Sequence, residues 1–168
     1  KDIEVYIVRL NGWPDTFNER IEELSNHVDK ITVIRPSVED STSINSANVM
    51  EYDIPPKRSS YIPLWLHPVQ FPVQVLLSIC VIFGLIIYRR RRPSVIHSVD
   101  YILGGFVGSL VSGILNIPFV ISVRGIQEPR YERLVEDTGK SIYKLNLYLV
   151  QALPHFTISR ADHVIVKS

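Results

Sequence analysis

The stretch IEVYIVRLNGWPDTFNERIEELSNHVDKITVIRP, residues 3–36, decides how the chain is read. Ile3 to Leu10 is rich in β-branched and aromatic residues, as a buried strand is. Asn11-Gly12-Trp13-Pro14-Asp15 ends that run with turn formers. From Thr16 or Asn18 onward, Phe17, Ile21, Leu24 and Val28 recur at the spacing of one helix face. Lys30 to Arg35 is a second apolar strand, closed by Pro36. Strand, short loop, helix and strand in this order form a βαβ unit, whose two strands run parallel.

The chain beyond it continues the alternation. Residues 37–63 are polar and are expected to be a mobile loop or insertion, with a weak strand at Val49 to Ile54. Phe71 to Tyr88 is apolar and uncharged, and it ends on Arg89-Arg90-Arg91-Arg92. Ser94 to Ser98 reads as a short strand, Ile102 to Leu115 as a helix dotted with glycines, and Phe119 to Val123 as a strand running into Arg124-Gly125. A charged loop over Ile126 to Ser141 leads to a helix from Ile142 to about Ser159, which Pro154 should bend or interrupt. His163 to Lys167 is the last strand. Strands that are apolar throughout and alternate with helices predict an α/β, Rossmann-like, three-layer α/β/α domain. Its sheet should be mostly parallel, with Val5, Ile7, Val33, Val95, Val120 and Val164 at the centre.

Composition narrows the function classes. The 168 residues suit one domain, and 46% hydrophobic against 21% charged residues excludes a disordered chain. Eighteen Lys and Arg against 17 Asp and Glu leave a net charge of +1, so no nucleic-acid partner is expected. The single cysteine, Cys80, excludes an internal disulfide and a cysteine-only zinc site, and the five histidines are scattered without ligand spacing, so no metal is expected. There is no G-x-S-x-G elbow. Gly104-Gly105-Phe106-Val107-Gly108 departs from G-x-G-x-x-G and falls inside a helix, where small residues serve close helix–sheet packing. The chain opens at Lys1 without a methionine and stops after an apolar run, and it reads as a piece of something longer.

Parallel sheets bind ligands outside the carboxyl ends of their strands. That rule selects three segments. The loop from Asn11 to Thr16 offers Asn11, Gly12, Asp15 and Thr16 ahead of a helix N-terminus, or is only a tight turn. His97 and Asp100 stand at a strand end, where a histidine either handles substrate hydroxyls and protons or is hydrogen-bonded at the sheet edge. Arg124, with Gly125 beside it, can clamp a phosphate or carboxylate, or pair with Glu128. At about 1.5 Å per residue, 71–88 reaches roughly 27 Å, barely a bilayer span. With a βαβ unit on either side of it, the segment is expected to contact a membrane surface without crossing, through Arg89, Arg90, Arg91 and Arg92.

In order, VYIVRLNGWPDTFNERIEELSNHVDKITVI (5–34), RRRRPSVIHSVDYILGGFVGSLVSGILNIPFVISVRG (89–125) and ADHVIVKS (161–168) resemble the N-terminal, acceptor-side domain of GT-B glycosyltransferases of family 4, the group-1-like retaining enzymes. The resemblance implies two Rossmann-like domains facing a cleft, with the nucleotide-sugar held by the C-terminal one. It places Gly12 in the loop that approaches the donor phosphates, and His97 and Asp100 at the strand end facing the acceptor. Arg124 falls where many members carry histidine before glycine, and Val99 where a second histidine is common. Those departures suggest a subfamily with a different acceptor. The paired-glutamate C-terminal domain is absent, so this domain alone is expected to bind no cofactor and to turn nothing over. The implied partners are a nucleotide-sugar and a glycan or lipid-linked acceptor, at the cytoplasmic face of a membrane. The competing reading is a non-catalytic, membrane-tethered flavodoxin-like module, although such receivers usually carry an acidic cluster where Asn11-Gly12-Trp13-Pro14 stands.

Overall fold

Apolar runs alternating with amphipathic segments resolve, in a computed structural model of the chain, into one six-stranded sheet with helices on both faces. The structure describes residues 3–10, 17–36, 44, 46–55, 67–124, 132–133, 135–136 and 141–167. Along the chain lie β1 (Glu4–Val8), α1 (Phe17–Ser25), β2 (Lys30–Pro36), β3 (Val49–Ile54), α2 (His67–Arg89), β4 (Val95–Ser98), α3 (Leu103–Leu115), β5 (Phe119–Arg124), α4 (Ser141–Ile158) and β6 (His163–Lys167). The strand order is β3-β2-β1-β4-β5-β6, and every neighbouring pair is parallel. This is the Rossmann-like α/β architecture, and the order reverses between β1 and β4.

Side chains that alternate along each strand supply two cores. Tyr6, Val8, Ile34, Ile96, Phe119 and Ile121 face Ile82 and Leu85 of α2 and Val107 and Val111 of α3. Val5, Ile7, Ile31 and Val33 face Phe17 and Ile21 of α1. Helix α3 lies close on β5 because a Cβ at Gly105 would stand 3.1 Å from Ile121 Cδ1, and one at Gly108 2.5 Å from Phe119 Cε2.

One expectation is corrected, and two others gain detail. The weak strand expected at Val49 to Ile54 is β3, held to β2 by Arg35, which pairs with Glu51 at 2.9 Å and Asp53 at 2.8 Å. Most of the rest of 37–63 lies outside the described residues. Val164 is not central: β6 is an edge strand, and Val164 is 42% exposed. Helix α4 runs through Pro154 to Ile158, close to the expected end; there the Thr157 hydroxyl lies 3.1 Å from Pro154 O and 2.8 Å from Tyr101 O, tying the last turn to the loop before α3.

Candidate functional site at the carboxyl edge

All six strands run the same way, so their carboxyl ends share one edge. The strand order reverses between β1 and β4, the place on this edge where open parallel sheets bind ligands. Arg9 and Leu10 reach it from β1, Val99 and Asp100 from β4, and Arg124 closes β5 on the same edge, in register with Lys167 of β6.

Asp100 is buried and its carboxylate holds two backbone amides. Oδ2 accepts from Leu10 N at 2.9 Å and Oδ1 from Gly104 N at 2.8 Å. The residue before α3, Ile102, makes no side-chain cap. Asp100 therefore takes over an orphan amide of the first turn and sets negative charge at the positive end of the helix. Gly104 makes this possible, since a Cβ there would collide with Asp100 Oδ2. The Ser98 hydroxyl donates to Asp100 O at 2.5 Å and completes the turn. This geometry makes Asp100 a clamp between the exit of β1 and the entry of α3.

His97 turns the other way. It is half-buried on the α1 side of the sheet, with Nε2 2.9 Å from Ser122 Oγ. It borders a cavity of about 350 Å³ shared with Ile7, Phe17, Ile21, His27 and Ser122. The two residues proposed together from sequence are thus separated: Asp100 engages α3, and His97 looks into the space beside α1. Asn11, Gly12, Asp15, Thr16, Gly125 and Glu128 lie outside the described residues. Among the described residues, no three His, Cys, Asp or Glu side chains gather as metal ligands.

Sequence reading passed over Arg9. It is 1% exposed, its amide donates to Ile34 O at 3.0 Å, and its guanidinium lies 4.5 Å from the Phe17 ring centroid. A cation interrupting the apolar run Glu4–Leu10, immediately before a turn at the switch point, was the available signal.

The four arginines after α2's apolar stretch also divide. Arg89 turns inward, donating from Nη1 to Glu4 Oε1 at 2.6 Å and Thr32 Oγ1 at 3.0 Å, and from Nη2 to the Tyr52 hydroxyl at 3.2 Å. Burial opposes its charge, but the Tyr52 hydrogen bond and the acidic groups of Tyr6, Tyr52 and Glu4 more than offset this and raise its pKa above the ordinary value. Burial, then the charge of Glu4, likewise holds the Tyr6 phenol above its ordinary value, against the opposing pull of Arg89. Arg90, Arg91 and Arg92 are exposed.

No protein-family model matches the chain, and no curated protein matches it in sequence. Solved structures do share its fold. A UDP-glucosyltransferase from Polygonum tinctorium capable of glucosylating indoxyl superposes with a TM-score of 0.62 at 14% identity, over 100% of this chain and 46% of that one. LpCGTa, solved in complex with UDP, gives 0.60 at 13% identity over 100% and 47%. A UDP-GlcNAc 2-epimerase from Methanocaldococcus jannaschii gives 0.51 at 11% over 99% and 40%. The chain spans less than half the length of these proteins, and at these identities the likeness is one of fold: an open, parallel, Rossmann-like α/β sheet.

Proposed function

We propose that this domain is the acceptor-side half of a retaining GT-B glycosyltransferase of family 4. It works with a C-terminal nucleotide-sugar domain to move a sugar from a nucleotide-sugar to a lipid-linked or polysaccharide acceptor at the cytoplasmic face of a membrane. One observation carries the reading. The ends of β1, β4 and β5 meet along one carboxyl edge with a switch point between β1 and β4, on a sheet that superposes on part of a UDP-glucosyltransferase, of a protein solved with UDP and of a UDP-GlcNAc 2-epimerase. The motif order described above supports family 4 and, with it, retention of configuration.

The chemistry asks little of this half beyond placement and charge. Departure of the nucleoside diphosphate builds negative charge, which fixed donors stabilise. Arg124 at the carboxyl edge would supply such charge, and a guanidinium stays protonated, so it acts electrostatically and not as a base. Asp100 would serve by positioning the loop after β1, where Asn11, Gly12, Asp15 and Thr16 stand, and His97 by contacting acceptor hydroxyls from β4. Gly125 and Glu128 would complete the loop after β5.

The test is transfer by the two-domain enzyme from radiolabelled nucleotide-sugars to membrane lipid and polysaccharide extracts. The expected result is label in one acceptor fraction, with the anomeric configuration of the donor. Inverted product would remove the family-4 assignment, and neither transfer nor donor hydrolysis with any nucleotide-sugar would remove the enzymatic reading.

A further inference from the structure

A helix packed on a water-soluble domain turns its apolar stripe inward and its polar residues outward. Helix α2 buries Ile82 and Leu85 in this way, but its outer face is apolar too. Gln74 and Ser78, the polar residues of its apolar stretch, are 2% and 0% exposed and point inward with Ile82 and Leu85. Val73, Leu76, Cys80, Gly84 and Ile87 point outward, and their spacing of three and four residues makes one continuous stripe along the helix. Leu76, Ile87 and the neighbouring Tyr88 are 62%, 74% and 87% exposed. Pro72–Arg89 is apolar enough to cross a membrane, yet only 28% of it is buried.

The surroundings of the stripe say what covers it. Arg90, at φ 52°, ends the helix and leads into the exposed Arg91 and Arg92. Arg92 Nη1 donates to Leu115 O at 3.4 Å, which sets the exposed Ile114 of α3 beside this basic end. Lys30, Arg91, Arg92 and Ser94 share a cleft at the amino edge of the sheet, with Glu4 and Asp29 on its wall. An uncharged apolar stripe ending in clustered cations is complementary to acyl chains bounded by anionic headgroups. Spanning is opposed by the inner face: α2 would have to strip Ile82 and Leu85 from the sheet and break Arg89 from Glu4.

We propose that α2 lies in the plane of an anionic bilayer surface. The stripe from Val73 to Ile87 enters the acyl boundary, Arg90 to Arg92 meet the headgroups, and Arg89 is the inward anchor that fixes how the helix sits on the domain. The carboxyl edge then opens along the membrane plane, within reach of a lipid-linked acceptor. The inference rests on the membrane part of the function proposed above and not on its chemistry, so vesicle binding and sugar transfer can fail separately.

The test uses the chain with its single native cysteine, Cys80, carrying a bimane label on the exposed stripe. In flotation, binding is expected to vesicles of phosphatidylcholine with phosphatidylglycerol and not to phosphatidylcholine alone. Bimane fluorescence should shift to the blue and be quenched by shallow nitroxide lipids. R90Q/R91Q/R92Q should weaken binding roughly tenfold or more and flatten its salt dependence. Leu76→Asp with Ile87→Asp should abolish the blue shift while circular dichroism and Tm stay those of the parent. Three results would overturn the proposal: a Cys80 label that stays in water in the presence of anionic vesicles, concentration-dependent dimers that cover the stripe instead, or labels moved to positions 73 and 87 in a C80S background that report opposite leaflets.

Discussion

The carboxylate of Asp100 holds the Leu10 amide at 2.9 Å, across 90 residues of sequence. Its other oxygen holds Gly104 N, so one side chain joins the exit of β1 to the first turn of α3 at the point where the strand order reverses. The exit of β1 and the entry of α3 are held together by a side chain whose partners meet only in the folded sheet.

Asp100→Ala should therefore destabilise the domain by about 2–4 kcal/mol, because it strands two buried amides and removes an N-terminal anion. Asp100→Asn keeps one acceptor and should cost less. Urea unfolding checks both. Unchanged stability in Asp100→Ala, with sugar transfer lost in the two-domain enzyme, would reassign the residue from clamp to substrate contact.

Arg89 and Glu4 are 12% and 11% exposed at their side chains, so removing either partner leaves a charge largely out of water. Arg89→Gln and Glu4→Gln should each cost about 2–3 kcal/mol in denaturant unfolding, with a coupling of roughly 1–3 kcal/mol in the double-mutant cycle. Single glutamine substitutions at Arg90, Arg91 or Arg92 should stay within about 0.5 kcal/mol of the parent.

The glycines of α2 and α3 should respond with opposite signs. A Cβ at Gly84 meets nothing within 4 Å, so Gly84→Ala should stabilise by about 0.5–1 kcal/mol through helix propensity. At Gly108 the Cβ would press on the fully buried Phe119 ring, so Gly108→Ala should destabilise by about 1–3 kcal/mol despite the same propensity gain. Thermal melts of the two variants separate the effects.

Tyr6 titrates above its ordinary value in the folded chain, with burial the first cause. The unfolded phenol loses its proton near pH 10 while the folded one keeps it, so the stability linked to Tyr6 is complete below about pH 10 and declines as pH rises through the folded value. Tyr6→Phe should make the alkaline limb of the stability–pH curve shallower and leave the curve below pH 9 parallel to the parent's. An unchanged alkaline slope would show that Tyr6 does not carry it.

In the two-domain enzyme, Arg124→Ala should cut turnover by roughly one hundredfold or more, and Arg124→Lys should recover only part, because the guanidinium fork is lost. Turnover near the parent's, with a lowered Tm, would assign Arg124 to a structural ion pair.

The positions of the strands and helices were legible in the chain because they rest on local periods. Val5 to Val8 and Ile31 to Ile34 announce strands, Phe17 and Ile21 announce a helix face, and the helical crossover between them makes the strands parallel. Those same periods determined that residues 71–88 form a helix and that His97, Asp100 and Arg124 stand at or near strand ends. A period says which residues share a face, and it is silent on what that face meets. Only the tertiary structure decided that Val49–Ile54 and His163–Lys167 are the two edges of the sheet, and that Arg89 leaves its three neighbours to join Glu4 beneath α2. It alone turned Gln74 and Ser78 inward and sent His97 and Asp100 to different surroundings. Each of these outcomes depends on partners tens of residues away, whose approach is set by strand order and by the balance of burial against charge over the whole sheet.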